Sequence, residues 1–363
     1  MTGALDGVAI VWCEGAFNTP NGKTAHGLVR RTERYSVSSV VDSRYAGRDA
    51  GEVLDARPRE IAIVATLEEA IERASRSGRR ATHFVIGLAP DGGRLDPGSR
   101  DAVKDAIRAG LSVDSGLHDF LSDDADIARL AGEHGVTIRD IRKPPPRSTL
   151  HFFSGKIEEV DSLRIALLGT DSAVGKRTTA WLLVDALRAR GVSAELIGTG
   201  QTAWMQGARY GIVLDSLVND FVSGEIEHAV WSAWKRERPR AIILEGQGSL
   251  LNPAYPGGYE LLAAGRPHAI ILQHAPARLE YDGFPGYPLH PLTKQIAAIE
   301  LVSERPVVAI TINHEGIERS NVASACRAIT RATGRPAFDP LLESLEPLVD
   351  LLEPWLAGGE GAR

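Results

Sequence analysis

The stretch LLGTDSAVGKRTTAWLL, residues 167–183, decides the fold. It opens apolar, turns through a loop bounded by Gly169 and Gly175, and closes as the start of a helix carrying Lys176. Strand, glycine-bounded loop and helix in that order are the context of a phosphate-binding loop, G-x-x-x-x-G-K followed by Ser or Thr. Here Arg177 stands where the hydroxyl belongs, with Thr178 and Thr179 behind it. Glycines let such a loop turn its N–H groups inward, and the helix N-terminus adds a partial positive charge. Gly169, Thr170, Asp171, Ser172, Ala173, Val174 and Gly175 are therefore expected to line a phosphate, with Lys176 reaching the outer phosphates as a point charge. The hydroxyl of the pattern binds Mg²⁺, which a guanidinium cannot do. Thr178 points about 100° further round the helix. Either Thr178 or Thr179 substitutes as metal ligand, or the loop holds phosphate without the usual metal and Arg177 adds a contact of its own.

Working outward, short apolar runs alternate with amphipathic ones along the whole chain. Upstream strands are expected at VAIVW (8–12), YSVSSVVDS (35–43), IAIVA (61–65), THFVIGL (82–88), LSVDSG (111–116) and VTIRDI (136–141). Between them LEEAIERASRSG, SRDAVKDAIRAG and DADIARLAGEHG read as helices, each ending in a Gly suited to a C-cap. Downstream, SAELIGTG, AIILEGQGS, HAIILQHAP and VVAITINHEG read as strands. Strands alternating with helices mean parallel sheets covered on both faces. The proline run in KPPPRS (143–148) excludes helix and central strand, so a boundary is expected there. The expectation is an α/β chain: a Rossmann-like parallel-sheet domain over 1–148 and a P-loop NTPase-like parallel-sheet domain over 149–363.

Composition narrows the class. At about 150 residues per domain, 363 residues make two. A net charge of -6 argues against nucleic acid as the main partner. No apolar run approaches the roughly 20 residues of a membrane span, and the first residues lack the pattern of a signal peptide. Two cysteines exclude a disulfide framework. The expected compartment is the cytoplasm.

Ligands of open α/β sheets bind outside the carboxyl ends of the strands, which selects further candidates. Glu245 ends AIILE and is placed either to hold Mg²⁺, if a nucleotide is bound, or to act as a general base. Gln247 follows it in a glycine setting. Gln201 and Thr202 follow SAELIGTG, at an edge that suits catalytic or substrate contact. Asn313 either reads a base or forms a turn. His118 and Asp119 follow the LSVDSG strand, either as a histidine–carboxylate pair for proton transfer or as a helix-capping cluster. His274 and Arg278 in QHAPAR are placed to meet substrate; the arginine either pairs with a carboxylate or is a plain surface residue. Asp42 ends the second strand, where dinucleotide folds bind ribose. No G-x-G-x-x-G follows the first strand, so a nicotinamide cofactor is not expected. The tyrosine-rich loops NPAYPGGYE and YDGFPGYPLHP either line a site or form an oligomer contact.

Two resemblances follow from these residues. GTDSAVGKRTT is similar to the phosphate loop of dethiobiotin synthetase and the cobyrinic acid amide synthetases, and LEGQGS looks like their strand end. There the lysine and acid bind ATP and Mg²⁺. From about residue 8 to 350 the chain more closely resembles a two-domain bacterial family that includes D-glutamate N-acetyltransferase. That resemblance is carried by GKTAHGLVRR, VVDSRYAGRDAGEVLD, GLHDFLSDD, RKPP, GTGQTAWMQG, VNDFVSGEIE, EGQGSLLNPAYPG and LQHAPAR. It implies acetyl transfer from acetyl-CoA to the amino group of a D-amino acid. A small-molecule amino-acid partner and a homo-oligomer are expected. The alternative is an ATP- and Mg²⁺-dependent ligase or kinase.

Overall fold

The computed structural model describes residues 5–357. In chain order its strands and helices are β1 (Gly7–Trp12), α1 (Lys23–Arg30), β2 (Tyr35–Val41), α2 (Ala50–Asp55), β3 (Ala62–Val64), α3 (Leu67–Arg76), β4 (His83–Ile86), α4 (Pro97–Arg108), β5 (Ser112–Ser115), α5 (Ala125–His134) and β6 (Ile138–Asp140). Then follow β7 (Leu163–Gly169), α6 (Lys176–Ala189), β8 (Ala194–Gly198), α7 (Gln201–Met205), β9 (Tyr210–Gly211), α8 (Asn219–Glu237), β10 (Ala241–Glu245), α9 (Tyr259–Gly265), β11 (Ala269–His274), α10 (Leu292–Ser303), β12 (Val307–Ile312), α11 (Val322–Thr333), β13 (Ala337–Phe338) and α12 (Glu346–Leu356).

The chain divides into two compact units, Met1–Pro144 with Gln201–Ala208, and Pro145–Gly200 with Arg209–Arg363. The division after Pro144 falls in the proline run, four residues before the boundary expected at 148. Gln201–Ala208, read from sequence as part of the second domain, counts with the first. Its side chains explain why. Met205 is fully buried in that unit's core. Thr202 Oγ1 lies 3.0 Å from Thr24 Oγ1. Gln206 Nε2 donates to the carbonyls of Gly27 at 2.8 Å and Arg31 at 3.1 Å. The Arg34 guanidinium lies 3.6 Å above the Trp204 ring.

The first unit is a six-stranded parallel sheet in the order β3-β2-β1-β4-β5-β6, the Rossmann order. All six strands read from the sequence are present. In this topology dinucleotides bind at the switch point between β1 and β4. The first-turn amide of α1 at Ala25 donates to Gly87 O at 3.0 Å. Asp42 is fully buried and accepts from Phe17 N at 2.8 Å and from Arg44 N at 3.0 Å. An acid that would hold a ribose in such a fold here pins its own β1–α1 loop.

The second unit is a seven-stranded parallel sheet, β13-β12-β11-β7-β10-β8-β9. β7 is buried along its whole length, because helices cover both faces. β10 and β11 flank it, Glu245 opposite Leu167 and Gln273 opposite Gly169. Since all run parallel, the loops after β7, β10 and β11 emerge at one edge.

After the proline run the chain crosses α8. Gly224 makes this possible, since a Cβ there would overlap the His151 carbonyl. The crossing is fixed by Glu227, which accepts from Ser154 N at 2.6 Å and Ile157 N at 3.2 Å. The His151 ring also stacks on His228 with centroids 3.6 Å apart.

Candidate functional site

β7 delivers Gly169 to the edge of its sheet, and α6 begins seven residues on at Lys176. A Cβ at Gly169 would lie 2.8 Å from Lys176 Nζ and would push that side chain from its place. Gly175, the N-cap of α6, has φ +105°, and Ala173 also takes a left-handed φ of 52°. Left-handed residues in such a loop turn successive N–H groups to one side, which forms an anion nest. Lys176 is buried and donates from Nζ to Asp171 O at 2.7 Å and Gly248 O at 2.8 Å. Burial pushes its pKa down to about 8, against the pull of Asp171 and Glu245. The ammonium thus ties the phosphate loop to the loop after β10.

Asp171 is a hub. Its fully buried carboxylate accepts from Ser172 N at 2.7 Å and Asn252 Nδ2 at 2.9 Å. It also accepts from Arg278 Nη1 and Asp282 N, both at 2.8 Å. Arg278, read from sequence as a partner for a substrate carboxylate, has this partner inside the chain and also donates to Ser172 O at 2.8 Å. The tyrosine-rich loops are therefore fastened to the phosphate loop through Asn252 and Asp282, and the QHAPAR segment through Arg278.

Behind the loop lies a second polar cluster. Gln273 Oε1 accepts from Thr179 Oγ1 and Thr311 Oγ1, both at 2.6 Å. His274 Nδ1 lies 3.0 Å from Thr170 Oγ1. Burial, with Arg278 adding to it, holds the His274 pKa down to about 4, so this imidazole is neutral near pH 7. Thr178 is half-buried on the first turn of α6.

On the other side of β7, Glu245 is buried, and its Oε2 accepts from Thr199 N at 2.9 Å. Burial raises its pKa; the Arg177 guanidinium, the Thr199 amide and Lys176 act against that rise. Thr199 Oγ1 donates to Glu245 O at 2.9 Å and accepts from Gln247 Nε2 at 2.8 Å. Asn313 forms a turn: its Oδ1 accepts from Glu315 N at 3.1 Å.

The structure thus brings Gly169 to Thr178, Glu245, Gln247, His274, Arg278 and Asn313 to one edge of the second unit. Gln201, Thr202, His118 and Asp119 belong to the first unit. There the buried Gln201 packs on Gly116, and Thr202 is bonded to Thr24 as above. His118 and Asp119 are exposed, with Asp119 3.7 Å from Arg94 Nε. Among the described residues no group of three or more His, Cys, Asp or Glu is placed to hold a metal ion.

Sequence reasoning passed over Thr199, Gly248, Asn252 and Asp282. The first lies inside the quoted GTGQT, and an Asn before Pro253 is itself a turn signal. The other two act through backbone groups, which no side-chain pattern reveals.

A Rossmann-ordered unit and a phosphate-loop unit on one chain define a two-domain α/β protein of the P-loop class. The chain belongs to the DUF1611 family. Residues 151–349 match a domain of unknown function described as a P-loop domain, and residues 43–144 match its companion, described as Rossmann-like. It is 30% identical over 292 residues to a protein of Tritonibacter scottomollicae named D-glutamate N-acetyltransferase, a match covering 78% of this chain and 84% of that one. It is 30% identical over 275 residues to a protein of that name from a Pseudoalteromonas species, covering 74% and 80%. A crystal structure of a DUF1611 family protein from Anabaena variabilis superposes with a TM-score of 0.86 at 28% identity, over 96% of this chain and 99% of the other. No helix among the described residues is long and apolar enough to cross a membrane.

Proposed function

We propose that this chain is an N-acetyltransferase that moves an acetyl group from acetyl-CoA to the amino group of an amino acid, D-glutamate or a close analogue. The observation that carries the reading is the phosphate loop, with the buried Lys176 at its centre, taken with the names of the two relatives. Coenzyme A bears a diphosphate and a 3′-phosphate. The loop amides, the α6 N-terminus, Lys176 and Arg177 can grip either without any ATP chemistry.

In the reaction the amine nitrogen bonds to the acetyl carbon and the carbon–sulfur bond breaks. The amine must shed a proton, and the leaving thiolate gains one. Glu245, a buried carboxylate whose basicity burial raises, can take the amine's proton. Backbone N–H groups in a glycine loop suit the oxyanion that forms at the acetyl oxygen.

The test is release of free thiol from acetyl-CoA with a panel of D- and L-amino acids. Release is expected with an acidic D-amino acid. Glu245→Gln should lower kcat by about 10²–10⁴-fold, the loss expected when a general base is removed. No release with any amino acid, beside clear ATP turnover, would refute the reading. The second reading, an ATP- and Mg²⁺-dependent ligase, draws on the G-x-x-x-x-G-K loop and the acid at the end of β10. It requires activity that a chelator abolishes.

A further inference from the structure

Phosphate loops that work on nucleotides hold a divalent cation between the hydroxyl after the lysine and an acid on a nearby strand. This chain keeps the acid and replaces the hydroxyl. Glu245 ends β10, paired with β7 opposite Leu167, two residues before the loop begins. Its carboxylate is buried at the root of the loop and takes one hydrogen bond from Thr199 N. Arg177, on the first turn of α6, is half-buried, and its Nε is fully so. Its guanidinium acts against the rise that burial gives the Glu245 pKa, together with the Thr199 amide and Lys176. A permanent positive charge on the first turn of α6 therefore already acts on the acid. A divalent ion brought there would meet the buried Lys176, the half-buried Arg177 and a carboxylate that is already engaged. The donor set does not fit Mg²⁺.

We infer that Arg177 is a built-in substitute for the divalent cation: it neutralises Glu245 and stands beside Lys176 as the second fixed charge on the phosphates. The loop then takes a diphosphate ester that arrives without metal, and discriminates against metal-bound nucleoside triphosphates. A guanidinium suits this task, because it stays protonated at all working pH values and offers two parallel N–H bonds to a pair of phosphate oxygens. The inference rests on the reading that the loop holds phosphate. It adds that the ligand is a metal-free diphosphate, and that one residue sets this preference.

The test is calorimetric titration of the full chain with coenzyme A and, separately, ADP, each in EDTA and in millimolar Mg²⁺. For the native chain, coenzyme A affinity is expected to be the same within about twofold in both media. Arg177→Thr restores the hydroxyl of the pattern. It should weaken coenzyme A binding in EDTA by about tenfold or more and make ADP binding depend on Mg²⁺. Arg177→Lys keeps a charge at the same place, and should keep the independence from metal while losing part of the affinity. Melting curves of each variant without ligand verify that the fold is intact. Native binding that needs Mg²⁺, or an Arg177→Thr chain that binds coenzyme A in EDTA as the native chain does, overturns the inference and leaves the phosphate reading standing. No binding of coenzyme A or ADP by the native chain in either medium overturns both.

Discussion

Ligand binding at the phosphate loop is expected to draw a proton from solution, and Lys176 is the group that takes it. Burial holds its pKa to about 8, where an ordinary lysine has 10.5. A neutral amine has two N–H bonds, enough for the carbonyls of Asp171 and Gly248. The third N–H of the ammonium is the one a phosphate oxygen would accept. An anion beside it favours the charged form and raises the pKa. At pH 8.5 about three-quarters of the free sites carry a neutral amine, so binding should take up close to that fraction of a proton. At pH 6.5 uptake at this residue should be near zero. Above pH 8 the affinity should fall about tenfold per pH unit until the pKa of the bound state is reached. Calorimetry in two buffers of different ionisation heat, at pH 8.5, reads the proton number directly. The 3′-phosphate of coenzyme A titrates near pH 6 and contributes nothing there. Between pH 8 and 10.5 the unfolded chain holds this proton and the folded one does not, so folding stability should rise with pH, by up to about 3 kcal/mol. Lys176→Met should show neither the uptake nor the rise. Heats at pH 8.5 that are independent of the buffer, or that behave alike in the native chain and in Lys176→Met, would refute the argument.

Two further outcomes follow from buried contacts. Asp171→Ala removes the acceptor for four donors and leaves Arg278 without its buried partner. It should cost about 3–5 kcal/mol in urea unfolding, whereas Glu315→Ala, which removes the exposed partner of the same arginine, should cost under about 1 kcal/mol. Gly224→Ala drives a methyl into the His151 backbone. It should cost roughly 1–3 kcal/mol and expose the segment after the proline run to limited proteolysis, while the phosphate loop still binds its ligand.

The architecture was legible because its signals are local and repeated. Six apolar runs in the first half and the helices between them survive as read, and α5 ends at Gly135 in the left-handed conformation its sequence implied. The loop from Gly169 to Lys176 was equally plain. The two-residue strands β9 and β13 were not, since two residues carry no period. α7 was hidden for another reason. Its sequence belongs with its neighbours, and only Met205 and Gln206, buried in a core assembled from residues far upstream, reveal its place. At the site, the identity of the charged residues could be read, but their partners could not. Asp171 was expected to face a ligand, and its carboxylate turns instead to Asn252, Arg278 and Asp282, residues 81 to 111 positions away.

The lodging of Gln201–Ala208 in the first unit sets an order of events at the ribosome. Amino-terminal domains ordinarily fold as soon as they emerge. Here the sheet β3-β2-β1-β4-β5-β6 can form early, but the place of Met205 stays open while Pro145–Gly200 is being made. The phosphate loop, α6 and β8 are thus already synthesised when the first core closes. The first unit is complete only once Ala208 has been made, in the middle of the second, and a protein cut at its proline run would leave the first unit short of the residues that complete it.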